Sequence, residues 1–321
     1  MKSIYKYFLK IYLILLFLFS GFLSADYPDK PITLITPYAA GGSNDLTARV
    51  FTSYLSKYLD QQVLIKLVPG QAGQKGTLEA IRSVADGYTM VFTDNYRDQL
   101  HQYTFPNEYY DTNEDLVTVA RINYGQIAVI VRGDGPYETW EDLENDARSK
   151  PGKLKISHSG LWAALFVPEW EIMNRLDLKF RMIPYRGGGP AKAALLSGDV
   201  DVSMAFPATV AEDVAAGRVR ILATAGPERQ IDNIPSFTEI GLSPTTGFIH
   251  RIIMAPIDTP KDRLLKVRQA LQELQNDQLY LDAMLQMGEN TEYMDGIEYD
   301  NIRLQQSINY GNLINSMDKS K

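Results

Sequence analysis

The sequence contains no cysteine. That absence excludes disulfides, thiolate metal sites, a thiol nucleophile and a lipoprotein anchor. Histidine is scarce: His101, His158 and His250 are the three present, and no two stand at ligand spacing. No metal site is expected from them. Basic clusters are missing as well. The 32 Lys and Arg residues are outnumbered by 39 Asp and Glu, for a net charge of -7. Gripping phosphate backbones takes Lys and Arg, so no nucleic-acid partner is expected. Hydrophobic residues make up 45% and charged residues 22%, the balance of a soluble globular chain. That excludes a disordered, collagen-like or multi-span membrane protein. At 321 residues, the length points to about two domains.

One apolar run stands out, at the start. Lys2, Lys6 and Lys10 precede Ile11–Phe19, and small residues follow at Ser24 and Ala25. The run is shorter than the about 20 residues of a membrane span. It fits an export signal over residues 1–25, cleaved near Ala25. Leu23 is larger than usual for that position relative to the cut, and an uncleaved anchor is the alternative. The mature chain is expected in the periplasm, where the absence of thiols suits an oxidising compartment.

Strand and helix patterns alternate from there. Ile32–Thr36, Val63–Val68 and Thr89–Phe92 read as strands, with helices from Asp45 and over Thr77–Val84. The alternation signals a parallel sheet flanked by helices. It repeats from Ile127–Val131, through strands near Leu154–Ser157, Phe180–Ile183, Val200–Met204 and Val219–Thr224. Thr139 with Asp142 reads as a helix cap. After a strand at Phe248–Met254 the pattern turns helical. Thr259 reads as an N-cap with Pro260 at the first helical position, and helices are expected over Lys261–Asn276, Gln278–Gln286 and Ile297–Asn315.

Three glycine loops join strands to helices. They are Pro37–Asp45 (containing Tyr38, Ala40, Gly41, Gly42, Ser43 and Asn44), Pro69–Gly76 (containing Gly73) and Pro184–Pro190 (containing Arg186 and Gly187). Glycine lets the backbone approach a ligand closely, and the helix behind presents free N–H groups and a positive dipole end. None is a P-loop or a dinucleotide fingerprint. Tight strand–helix turns use glycine anyway, but three such loops favour an anion site for a carboxylate or phosphate. Enzyme signals are thin. Ser157-His158-Ser159-Gly160 lacks the nucleophile-elbow pattern, and Asp199 with Asp201 reads as a solvated face or a turn contact rather than a catalytic dyad. Trp162, beside the Ser-rich loop, is either core packing or a ligand platform.

These loops resemble a known family. Tyr27–Ile32 with Pro37–Asp45, Val68–Gly73, Ala85–Thr89, Pro184–Ala191 and Ala194–Asp201, together with Ala255-Pro256 and Thr259-Pro260, are similar to the Bug receptors. Those are periplasmic solute-binding proteins of tripartite tricarboxylate transporters. The resemblance runs from about residue 27 to the end. It implies an α/β, two-lobed periplasmic binding protein (Venus flytrap) fold, each lobe a mostly parallel sheet flanked by helices. Lobe 1 is expected over 26–126 and 236–321, and lobe 2 over 127–235. It further implies that backbone N–H groups and ordered waters of the first two loops hold a ligand carboxylate.

Carried onto this chain, the resemblance places Tyr38 to Asn44 and Gly73 in the first-lobe site, with Thr93 and Asp94 facing the cleft. Ser157, His158, Ser159 and the Arg186–Gly189 loop supply the second lobe. Arg186 is either a ligand partner or a surface charge. Departures from the family pattern are His158, Leu161 and Trp162, which make the second-lobe half bulkier, and Ala205, where many members carry an Asp that meets a ligand ammonium. Ala205 therefore argues against an amino-acid ligand. The aromatic stretch Asn95–Asp111 has no clear family counterpart. The expected protein is a monomeric receptor for a small organic carboxylate, without cofactor or metal, that serves a membrane transporter. A sensor feeding a signalling partner and an exported hydrolase or isomerase are the rival readings.

Overall fold

Each strand–helix alternation closes into its own sheet. The computed structural model describes residues 26–104, 110–244 and 246–318. The export signal expected at residues 1–25 lies outside the described residues, as do Phe105 to Tyr109.

The first alternation runs β1 (Ile32–Thr36), α1 (Ser43–Leu59), β2 (Val63–Leu67), α2 (Gln74–Ile81) and β3 (Thr89–Asp94). Then come α3 (Asn95–Thr104), α4 (Thr112–Asp115) and β4 (Leu116–Gln126). The second alternation holds β5 (Ala128–Arg132), α5 (Trp140–Ser149), β6 (Lys155–His158), α6 (Phe166–Arg175) and β7 (Arg181–Pro184). It continues with α7 (Gly188–Ser197), β8 (Val202–Ala205), α8 (Pro207–Ala215) and β9 (Val219–Thr224). The chain ends with β10 (Phe248–Pro256), α9 (Lys261–Leu274), α10 (Gln278–Gln286), β11 (Met294–Asp295) and α11 (Gly296–Asp318).

One sheet has the order β11-β4-β10-β3-β1-β2 and the other β7-β6-β8-β5-β9. Both are mixed rather than mostly parallel. β1 pairs parallel with β2 and β3, but β10 runs antiparallel to β3 and β4. In the second sheet β6 pairs parallel with β7 and β8, while β5 runs antiparallel to β8 and β9. The antiparallel strands flank the two crossings between the bodies. Those crossings lie side by side, the Ile127 N–H donating to the Gly247 carbonyl at 2.9 Å. Phe237 and Leu242 pack into the core of the second sheet, so the expected boundary at 235/236 falls inside that core.

Local signals carry the helix ends. At α5, Thr139 Oγ1 accepts from the Asp142 N–H at 3.2 Å and the Asp142 carboxylate accepts from the Thr139 N–H at 2.9 Å, a full capping box. Thr139→Ala should cost about 1 kcal/mol, read by urea unfolding. At α9 the cap itself is Pro260, one residue later than expected, and Thr259 makes no cap bond. Proline's fixed φ of -54° and missing N–H serve the cap position as well as the first turn.

Glu169 is an anomaly. It is fully buried on α6, and neither carboxylate oxygen has a hydrogen-bond partner among the described residues. Burial holds its pKa well above the usual carboxylate range. The folded state keeps the proton and the unfolded chain loses it near pH 4.5. Stability is therefore lost as pH rises above that point, by about 1.4 kcal/mol per unit until the folded pKa is reached. Chemical denaturation from pH 4 to 8 should show that slope in the parent relative to Glu169→Gln.

Candidate functional site

The first glycine loop leaves β1 and turns into α1. Gly41 has φ +77° and takes the turn; Gly42, the N-cap, has φ -76° and ψ 162°. The positive φ belongs to Gly41 rather than Gly42. Ala40, Gly41 and Gly42 are exposed and Ser43 half-buried. The loop is closed by Asp45, whose carboxylate accepts from the Gly41 N–H at 2.8 Å and pairs with Arg49 at 2.9 Å. The N–H groups opening α1 have no preceding turn to bond to, and the exposed glycines leave them accessible.

A buried polar network holds this loop from beneath. The Tyr38 hydroxyl and Asn44 Nδ2 donate to one oxygen of Asp94, and the Arg97 N–H donates to the other at 2.9 Å. Burial, then the Asp94 carboxylate, push the Tyr38 hydroxyl far above its usual pKa, so it stays a donor. Arg251, fully buried, donates to Asn44 Oδ1 and pairs with Glu289, its Nε 3.2 Å from Oε2. Thr47 and Asn123 complete Glu289 at 3.2 and 2.6 Å. Asp94 and Thr93 are themselves buried, and Asp94 is a loop anchor with both oxygens engaged. Sequence reading missed Arg251 and Glu289, since strand and loop charges usually face solvent.

The second loop forms a 3-10 turn over Gln71–Gly73. Gly73 has φ +96°, and a Cβ there would stand 2.6 Å from Arg97 Nε. Gly73 is thus the residue that lets the Arg97 side chain lie against the loop. Gly73→Ala is expected to displace Arg97 and add backbone strain of about 1 kcal/mol or more, read by thermal unfolding. The Arg97 guanidinium also lies 5.6 Å from the centre of the Tyr38 ring, so α3 brings a cation to the first two loops. Arg97 was the other residue missed, because its segment matched no motif.

In the second body, His158 ends β6 and is buried, its Nδ1 accepting from the Gly160 N–H at 3.3 Å. Burial lowers its pKa, so the ring is neutral at pH 7. Ser159 is half-buried beside it. Trp162 holds φ +60° and packs edge-on against Phe166, with centroids 5.1 Å apart. Both belong to an apolar cluster with Tyr96 and Leu100 of the first body. Ser157 is tied to Ser203 at 2.8 Å and is no free nucleophile. Arg186 is exposed, and Gly187 caps α7 with φ +114°.

Ala205 does not line the space between the bodies. It packs with Ala128, Ile130 and Ala194, and the next residue, Phe206, reaches the first body, its ring 5.4 Å from the Arg251 guanidinium. The alternation of a strand turns successive side chains to opposite faces. The argument from Ala205 against an amino-acid ligand therefore loses its position. A hollow of about 800 Å³ lined by His250, Arg121, Arg175 and Tyr310 lies on the other face of β10 from Arg251, and the glycine loops take no part in it. Among the described residues no helix is long and apolar enough to cross a membrane.

Comparison with known proteins places this geometry. Residues 47–318 match the family described as the tripartite tricarboxylate transporter family receptor. The chain belongs to that family. Protein BugT of Bordetella pertussis is 26% identical over 270 residues, covering 83% of each chain. A solved periplasmic transporter superposes with a TM-score of 0.83 at 25% identity, over 91% of this chain and 98% of the other. MatC of Rhodopseudomonas palustris, solved with bound malate, gives 0.79 at 20% identity, over 90% of this chain and all (100%) of the other. The tripartite tricarboxylate receptors are solute-binding proteins, and the two sheets with paired crossings are their two-lobed architecture.

Proposed function

We propose that this receptor works in the periplasm, captures a small organic carboxylate between its two bodies and delivers it to membrane subunits of a tripartite transporter. The observation that carries the reading is the first loop: exposed glycines at the N-terminus of a 17-residue helix, braced from below by Asp94 and Arg251. That places free N–H donors and the positive end of the dipole where an anion can reach them. Malate bound to the MatC relative is a ligand of this chemistry. On this reading the second body contributes His158, Ser159 and the Arg186–Gly187 loop, with Trp162 packed on Phe166 beside them.

The test is a thermal-shift screen of malate, succinate, adipate and benzoate, followed by calorimetry. A ligand at about 100 times its dissociation constant adds about 2.7 kcal/mol of stability. A shift with at least one carboxylate and none with the matching amides or sugars is the expected result. No shift with any carboxylate would remove the proposal.

A further inference from the structure

We infer that Arg97 is a direct ion-pair partner of the ligand carboxylate, so that this receptor adds side-chain charge to its backbone cradle. The inference rests on the receptor reading above and specifies how its site recognises charge.

Three observations lead to it. Arg97 sits in the first turn of α3, directly after the β3 end that carries Asp94. Its guanidinium lies between the two loops that form the first-body half of the site, 5.6 Å from the Tyr38 ring centre and under Gly73, whose Cβ would collide with its Nε. Finally, the guanidinium has the Tyr38 ring beside it but no ion pair or side-chain hydrogen bond among the described residues. Its Nε is buried without a hydrogen bond. Asp94, the adjacent carboxylate, is already taken by Tyr38, Asn44 and the Arg97 backbone N–H.

Among the described residues, the three buried arginines of this body each have a counter-charge. Arg251 has Glu289, Arg303 has Asp98, and Arg121 has Glu292. A guanidinium cannot lose its proton in a protein. Half-buried and unpaired, it calls for an anion from outside, and its planar fork matches a carboxylate in two parallel bonds. The first-loop N–H groups then receive the remaining charge density of the same group.

The experiment is calorimetry of parent, Arg97→Met, Arg97→Lys and Gly42→Val against malate, succinate, adipate and benzoate, with thermal unfolding of each ligand-free protein. Arg97→Met should weaken the carboxylate that binds the parent by about 10- to 100-fold. Arg97→Lys should recover part of the loss, since it keeps the charge and loses the fork. The parent's preference for the carboxylate over its amide should shrink in Arg97→Met, a readout that a packing role would not move. Ligand-free unfolding should change little, because no internal ion pair is broken. If Gly42→Val abolishes binding while Arg97→Met stays within about threefold of the parent, the receptor reading stands and the inference falls. A large loss of ligand-free stability in Arg97→Met would also overturn it, by revealing an internal partner. If no carboxylate binds the parent, both fall together.

Discussion

Glu289→Ala should destabilise the protein by about 3–5 kcal/mol. Arg251 is fully buried and Glu289 is 5% exposed, so removing the carboxylate strands a cation away from water. The same substitution frees the Thr47 hydroxyl and the Asn123 amide, each of which now donates to Glu289. The loss should be larger than for an exposed pair such as Arg229–Glu239, half open to solvent on both sides, which is worth at most about 1 kcal/mol. Urea unfolding of Glu289→Ala, Glu239→Ala and the double variant Arg251→Met with Glu289→Met checks this. The double variant removes both charges together, so it should recover much of the loss. A Glu289→Ala cost no greater than that of Glu239→Ala would show that water reaches Arg251. Because Arg251 also holds Asn44, Glu289→Ala should weaken carboxylate binding without touching the ligand.

The parts of the fold legible in sequence were those governed by local rules. β1 and β9 have the bounds expected from their apolar runs, and α10 those expected from its helical spacing. The Thr139–Asp142 box follows from two residue types at the right separation. β4 escaped because its sequence contradicts a buried strand: Arg121 and Asn123 sit among its apolar residues yet are buried. They are tolerated there through Glu292, which accepts from Arg121 by its carbonyl, and through Glu289, both far along the chain. Long-range pairing of that kind leaves no local trace. α3 escaped for a similar reason, since Asp98 is buried only because Arg303 of α11 meets it, with one contact at 2.8 Å. The site shows the same division. The glycine loops are local turn chemistry and were visible, whereas the placement of Arg97, Arg251 and Phe206 depends on which elements lie side by side. Ala205 was a position in a motif, and strand register decided which way it faced.

Gly42→Val should reduce affinity for the receptor's carboxylate by about 100-fold or more, with the fold retained. The choice of residue follows from the backbone. At Gly41, φ +77° would strain any side chain, and a loss of binding there would be ambiguous. Gly42 lies in the extended region, which valine adopts readily, and a Cβ on it meets only the Ala39 carbonyl oxygen at 3.5 Å. Its methyl groups therefore project into open space on the exposed side of the loop. A carboxylate oxygen would have to occupy that space to reach the first N–H groups of α1. Two charge-assisted bonds lost at about 1.5–3 kcal/mol each are enough for the predicted change. Valine is a poorer N-cap than glycine, so stability should fall by up to about 1 kcal/mol, which unfolding curves will separate from the binding effect. Ser43→Ala is the control. It removes one hydroxyl and no backbone donor, and should cost about 0.5–1.5 kcal/mol in binding at most. If Gly42→Val folds and binds like the parent while Ser43→Ala abolishes binding, side chains hold the anion and the backbone cradle is wrong.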